Sequence, residues 1–253
     1  MLKKDIPNGV IIYQGPSLID GKPIVVIANS FKSNKNKKIG DMIQTYIIRD
    51  DKHPNDCLKS NDDYSVCGSC IHRGEYNAKT DTVENRTCYV NLYQQGIYSV
   101  YNAFKRGSYP VCEFKHMQLF NGRHVRIGSY GDPAAVPMYV WDTIAENCHD
   151  YTGYTHSWRT CDPKLAKYCM ASVENMDDAI LANSKGYRTF RLVTDPDDIQ
   201  HRFEIPCPAQ INDKVHCDKC TYCDGANCKK RNVAVVFHGR PGTLKQYLAK
   251  IGA

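Results

Sequence analysis

The 253-residue chain reads as an α/β fold, a partial or irregular (β/α) barrel with an N-terminal β-rich cap and two cysteine-rich metal loops. Three observations predict it. β-branched runs broken by turn signals fill residues 1–49. Short apolar runs alternate with helical patterns over 91–204, the signature of parallel βα units. The cysteines gather in two stretches, 50–90 and 205–231, instead of spreading evenly. A last strand and tail helix over 232–253 complete a single domain of ordinary size for such a fold.

In the cap, Val10–Gln14 and Ile24–Ala28 are β-branched runs, with Gly15–Pro16 and Asp20–Gly21 as the turn signals between them. Residues 42–49 make a third strand, and together the three predict an antiparallel lid over one end of a larger sheet. Tyr93, Ile97, Val100, Tyr101 and Phe104 recur on one helical face until Gly107 and Pro110 end it. Strands follow at 124–128, 150–155, 168–173 and 187–193, with helices over 136–148 and 176–184 between them. Residues 232–238 form the last strand, and a helix starts at Thr243. These are too few units for a complete eight-fold barrel.

The second cysteine stretch is the most specific signal. Cys217, Cys220 and Cys223 are spaced C-x2-C-x2-C, and a turn that sets cysteines three apart aims their sulfurs at one point. Zinc sites draw C-x2-C pairs from two knuckles, whereas the unbroken triple is closer to iron–sulfur runs whose remaining cysteine precedes a proline. Cys207 precedes Pro208 and is a candidate fourth ligand, with Cys228 its rival. In the first stretch, Cys67 and Cys70 form a C-x2-C pair with Gly68 in the turn, and Cys88 follows 18 residues on. Three thiolates leave one metal position open for chemistry, unless Cys57 or His72 closes it. Cys112, Cys148, Cys161 and Cys169 follow no ligand spacing and read as packed thiols.

Other chemistry is expected at the carboxyl ends of the parallel strands. Gly131 and Asp132 offer close backbone approach and a carboxylate. Tyr154, His156, Trp158 and Arg159 offer a base, a stacking face and an anion site, and Ser172 and Glu174 follow the next strand. Asp132 and His156 are the candidate catalytic pair; Gly131, Asp132, Tyr154, Arg159 and Glu174 are the candidate cofactor-binding residues. The sequence has no Walker, G-x-S-x-G or HExxH motif, and no deaminase pairing of H-x-E with P-C-x-x-C.

A net charge of +6 is mild, and much of it lies in runs at 32–38 and 229–231. Lys229, Lys230 and Arg231, with Tyr222, are a candidate nucleic-acid contact; a small-molecule or protein partner is the other expectation. The first residues carry no apolar signal region and no apolar run reaches 18 residues, so the expectation is a soluble protein off the membrane, in a reducing cytoplasm.

The phrases Cys67-Gly-Ser-Cys-Ile-His-Arg73, Thr87-Cys-Tyr-Val90, Ile127-Gly-Ser-Tyr-Gly-Asp-Pro133 and Gly153-Tyr-Thr-His156, followed by Cys207–Cys223, resemble an uncharacterised cysteine-rich family of phages and their bacterial hosts. The resemblance spans roughly Asp5 to Gly239 and places the protein in a host cytoplasm if it is phage-encoded. In layout it is similar to radical-SAM-like barrels: a three-cysteine site, a βα barrel, then a second cysteine site. It departs from them in lacking the C-x3-C-x2-C loop, for which Cys67, Cys70 and Cys88 are the nearest equivalent. The resemblance implies an open iron–sulfur cluster on those three residues, able to take the amine and carboxylate of S-adenosylmethionine. It further implies a closed cluster on Cys207, Cys217, Cys220 and Cys223, with Asp132 and His156 lining the barrel mouth. Zinc in both cysteine sets, in a protein without enzymatic activity, is the alternative.

Overall fold

The computed structural model describes residues 6–32, 39–92, 96–227 and 229–252. The basic run beyond Lys32, the helical start at Tyr93 and the rival ligand Cys228 lie outside the described residues. Two antiparallel strands, β1 (Gly9–Pro16) and β2 (Pro23–Asn29), lead into β3 (Ile43–Arg49). The chain then passes through short helices α1 (Pro54–Ser60) and α2 (Tyr64–Cys67), a hairpin of β4 (Glu75–Asn77) and β5 (Thr82–Glu84), α3 (Ile97–Lys105) and α4 (Phe114–Met117). From β6 (His124–Tyr130) the βα alternation begins: α5 (Met138–Asn147), β7 (Asp150–Thr155), β8 (Met170–Val173), α6 (Met176–Ser184), β9 (Thr189–Val193). The C-terminal part holds β10 (Glu204–Pro206), the single-turn helices α7 (Pro208–Ile211) and α8 (Cys217–Cys220), β11 (Asn232–Val236) and α9 (Pro241–Ile251).

Nine strands form one sheet in the order β1-β2-β3-β6-β7-β8-β9-β11-β10, and every pairing from β3 onward is parallel. The first three strands therefore do not lie over an end of the sheet as a cap; they extend its edge. The reason is visible in β3, where Ile43, Tyr46, Ile47 and Ile48 are all buried, so both faces of the strand are covered. β2 is buried in the same way, with Ile24, Val25, Val26 and Ile27 shielded from solvent. Such strands belong inside a sheet, between β1 and β6.

On the helical side α5 buries Val140, Trp141 and Ile144, and the Trp141 indole N–H donates to the Pro133 carbonyl at 3.1 Å. Asn175 caps α6 by accepting from the Asp178 amide at 2.8 Å, and Ala179 and Ala182 let that helix sit close to the sheet. Among the described residues no helix is long and apolar enough to cross a membrane.

Ile205 and Pro206, expected in the cysteine loop, instead continue from Glu204 as the outer parallel strand β10. It is anchored by a buried ion pair: Arg191 of β9 donates to Glu204 through Nε at 3.1 and 3.2 Å and through Nη2 at 2.5 Å. Removing one partner strands the other charge away from water. Glu204→Ala should therefore cost roughly 3–5 kcal/mol in urea unfolding. The double variant Arg191→Met/Glu204→Leu should recover most of that loss, and equal losses in both would remove the ion pair as the cause.

Candidate functional site

The first cysteine set is built by backbone turns and one arginine. α2 ends at Cys67, because Gly68 adopts a positive φ of 57°, and the Cys70 amide then donates to the Cys67 carbonyl at 3.3 Å. Arg73 clamps this turn. It forks onto Asp63 at 2.9 and 2.6 Å and also donates to the carbonyls of Gly68 and Asn61. Cys88 is brought back by the amides of Thr87 and Cys88, which both donate to the His72 carbonyl at 3.2 and 3.0 Å. The three thiols feel one another's charge, as Cys67 is influenced by Cys70 and Cys88. Burial pushes the Cys67 and Cys88 thiols up and Cys70 up to about 12; Arg73 opposes this at Cys67 and Cys70, and Arg86 at Cys88. Cys57 sits elsewhere, donating to the Lys52 carbonyl at 3.7 Å beside Arg49 and Asp62. A depression of about 470 Å³ beside Cys70 is lined by Tyr64, Arg73, Glu75 and Lys250, whose ammonium donates to the carbonyls of Ile71 and Arg73 at 2.7 Å.

The second set converges on the sheet. Cys207 precedes α7 and its amide donates to the Ala234 carbonyl of β11 at 2.8 Å. Cys217 and Cys220 bracket the one-turn α8, and Thr221 turns the chain through a left-handed residue, φ 42°. The Cys223 carbonyl accepts from the Gly153 amide of β7 at 3.1 Å. Cys223 interacts electrostatically with Cys207, Cys217 and Cys220, so the four thiols share one neighbourhood. Tyr154 packs against Cys223 there, tilted against Phe190 at 4.5 Å, and Arg126 lies over its ring at 5.2 Å. Burial pushes Cys223 up to about 12 and also raises Cys217, where Arg126 acts in the opposite direction. Arg188 ties the loop down: Nη1 donates to Asp224 at 2.9 Å and to Gly225 O, and Nη2 to the Tyr222 and Arg231 carbonyls. The neighbouring basic residues are engaged within the chain. Lys230 pairs with Asp224 at 2.6 Å, Arg231 donates to the Glu204 carbonyl at 2.9 Å, and Tyr222 lies beneath Arg188. Lys229 is exposed.

At the carboxyl ends of β6, β7 and β8 the strand exits meet. Asp132 is buried and accepts five hydrogen bonds. The Ala134 amide (3.0 Å) and the Thr155 hydroxyl (2.7 Å) reach Oδ1, while the His156 amide (2.9 Å) and the Ser157 amide and hydroxyl (both 3.2 Å) reach Oδ2. Its own amide donates to the Val66 carbonyl at 2.6 Å, docking the first cysteine turn on the sheet. At Gly131, φ 82°, a Cβ would meet Ile47 Cβ at 2.6 Å and Ile47 O at 2.8 Å, so close packing occupies the side where a side chain would stand. Arg159 is paired with Asp178 and stacked on Trp158 at 4.0 Å.

His156 and Glu174 are brought together with His72. Glu174 Oε1 lies 3.6 Å from His72 Nε2 and 3.8 Å from His156 Nε2. Among the described residues these three form the group of His, Cys, Asp or Glu ligand atoms lying within 4.8 Å of one another. His72 Nδ1 is 2.9 Å from Thr87 Oγ1, and its ring stacks on Tyr247, which in turn stacks on Phe237. Burial holds the His72 imidazole below its usual pKa, with Glu174 pulling the other way. His72 had a sequence signal only as a spare ligand for the cysteines; its pairing with two strand exits comes from tertiary contact.

All described cysteines are free thiols. A single tetrahedral zinc with Zn–S of about 2.3 Å sets sulfurs about 3.8 Å apart, and neither cysteine set is gathered as tightly as the 4.8 Å group around Glu174. Cys112, Cys148, Cys161 and Cys169 pack against the main core. No protein-family profile, no curated protein and no solved structure matches the chain.

Asp132→Ala leaves five donors without their acceptor and should cost roughly 3–4 kcal/mol. Asp132→Asn, which keeps the Oδ1 acceptor, should lose about half of that. Chemical denaturation of the three proteins checks the order, and a loss below about 1 kcal/mol for Asp132→Ala would show that the carboxylate is not what joins the strand exits.

Proposed function

We propose that the protein is an iron–sulfur oxidoreductase of radical-SAM-like layout, built on a partial (β/α) barrel and working in a reducing cytoplasm. The observation that supports this reading is that Cys207, Cys217, Cys220 and Cys223, from three separate turns, lie near enough to influence one another electrostatically beside Tyr154 and Arg126. Buried neutral thiols gain little from meeting there, whereas thiolates on a metal cluster do. A cluster spreads its sulfurs over several irons and so suits thiols grouped more loosely than a single zinc requires. Each set also has guanidinium groups beside it, Arg73 and Arg86 at the first and Arg126 at the second, which offset the negative charge of ligated thiolates.

Cys67, Cys70 and Cys88 would hold a cluster with one iron free of protein thiolate, the position for the amine and carboxylate of S-adenosylmethionine. When bound, such a group supplies electron transfer; the chain contributes position and charge. Ligand-facing groups at that rim are His72, His156 and Glu174, since the Asp132 oxygens are held by the chain and Arg159 by Asp178.

Anaerobic purification tests the proposal. The expected product is brown, with broad sulfur-to-iron charge-transfer absorption, iron and acid-labile sulfide. Cys223→Ser should lose the share of iron held by the second set and melt lower, because ligation is coupled to folding. A colourless chain holding zinc in both sets would replace this reading with the zinc-stapled one. A metal-free chain whose melting is unaffected by Cys223→Ser would end both.

A further inference from the structure

We propose that His72, His156 and Glu174 form a mononuclear site for a divalent transition-metal ion, separate from both cysteine sets and with coordination positions left for water or substrate.

Three features of the rim support this. The first is distance. The contacts from Glu174 Oε1 to the two imidazole Nε2 atoms, 3.6 and 3.8 Å, are too long for hydrogen bonds. Two ligand atoms sharing a metal at about 2.1 Å stand about 3.4 Å apart in tetrahedral geometry. The observed spacing is thus a few tenths of an ångström from a shared ion and about half an ångström from a hydrogen bond. The second is lack of partners: His156 Nε2 and Glu174 Oε1 are both shielded from solvent and have no hydrogen-bond partner. Buried polar atoms seldom stay unpaired, and here two of opposite character face each other across a gap.

The third feature is support from behind. His72 Nδ1 lies 2.9 Å from Thr87 Oγ1; in the tautomer whose Nδ1–H donates there, the lone pair of Nε2 faces Glu174, the arrangement in which metal-bound histidines are held. Tyr247 stacks on the same ring, and the His156 backbone is fixed by the hydrogen bond its amide donates to Asp132 Oδ2. The ligands come from the exits of two adjacent parallel strands and from the turn after Cys70, so no single-segment motif encodes them. Two imidazoles and one carboxylate suit zinc, iron(II) or manganese(II), and three ligands leave the ion open.

Manganese(II) is the discriminating probe, because it favours nitrogen and oxygen over thiolate. The full-length protein, purified with its cysteine sites as they come, is titrated with Mn2+ and the free-ion EPR signal is followed. The expected result is uptake of one ion per chain, displaced by Zn2+. His156→Ala and Glu174→Gln should each weaken binding by at least the ten- to hundredfold that loss of an outer partner causes. Thr87→Val, which leaves all three ligands, should weaken it about tenfold and serves if the ligand variants fold poorly. Cys223→Ser should bind Mn2+ as the parent does, whatever happens to its iron, so failure of the iron–sulfur reading and failure of this one are read separately. No Mn2+ or Zn2+ uptake at this site by the folded parent would overturn the proposal. So would unchanged affinity in folded His156→Ala and Glu174→Gln, or an effect of Glu174→Gln on melting alone, as expected of a plain histidine–carboxylate pair.

Discussion

A single buried carboxylate organises the working end of the sheet. Asp132 is nearly sealed from water, and five N–H and O–H donors from β7, the loop after it and the turn after β6 satisfy its carboxylate oxygens. Hydrogen bonds to an ionised acceptor are about twice as strong as neutral ones, which is why the arrangement tolerates a buried charge. Those bonds set where β6 and β7 stop relative to each other. They also orient the backbone of His156, while the Asp132 amide seats the turn that carries Cys67. One residue thus couples the sheet rim, the first cysteine set and the histidine–glutamate cluster.

Around that anchor the chain places thiols and bases in two different environments. The cysteines lie in partly buried sites where desolvation favours the neutral thiol and nearby guanidinium groups favour the thiolate. Neither influence alone makes a good ligand set; a multivalent cation would tip each toward thiolate. The rim cluster has the opposite character, with hard oxygen and nitrogen donors already facing one another and no sulfur among them. On the proposed reading, soft and hard ligand sets kept apart in one domain would allow different metals to be sorted by chemistry instead of by raw affinity.

Stability is spent unevenly to hold these sites. Arg188 uses four acceptors to pin the second cysteine loop, and Arg191 with Glu204 ties the outermost strand to its neighbour. Arg73 plays the same part for the first turn through Asp63. Each is a planar fork matched to a carboxylate or to several carbonyls, a task a lysine point charge performs poorly.

Much of the α/β architecture was legible in the sequence, because strand and helix periodicities are local. β7 at 150–155 and α6 at 176–184 fall where the strand and helix patterns put them. Less visible was the place of the first three strands: runs buried on one face or both look alike in sequence, and only the pairing of β3 with β6 joined them to the sheet. The edge strand β10 was hidden by its length of three residues and its Pro206. Asp132 read as a free carboxylate, because its five donors come from segments up to 25 residues away. His72 lies about a hundred residues from Glu174 in the chain, and no spacing rule links them. The residue types thus determined which ligands exist; three-dimensional contact between distant turns decided which of them meet, because coordination and hydrogen bonding depend on distance in space and not along the chain.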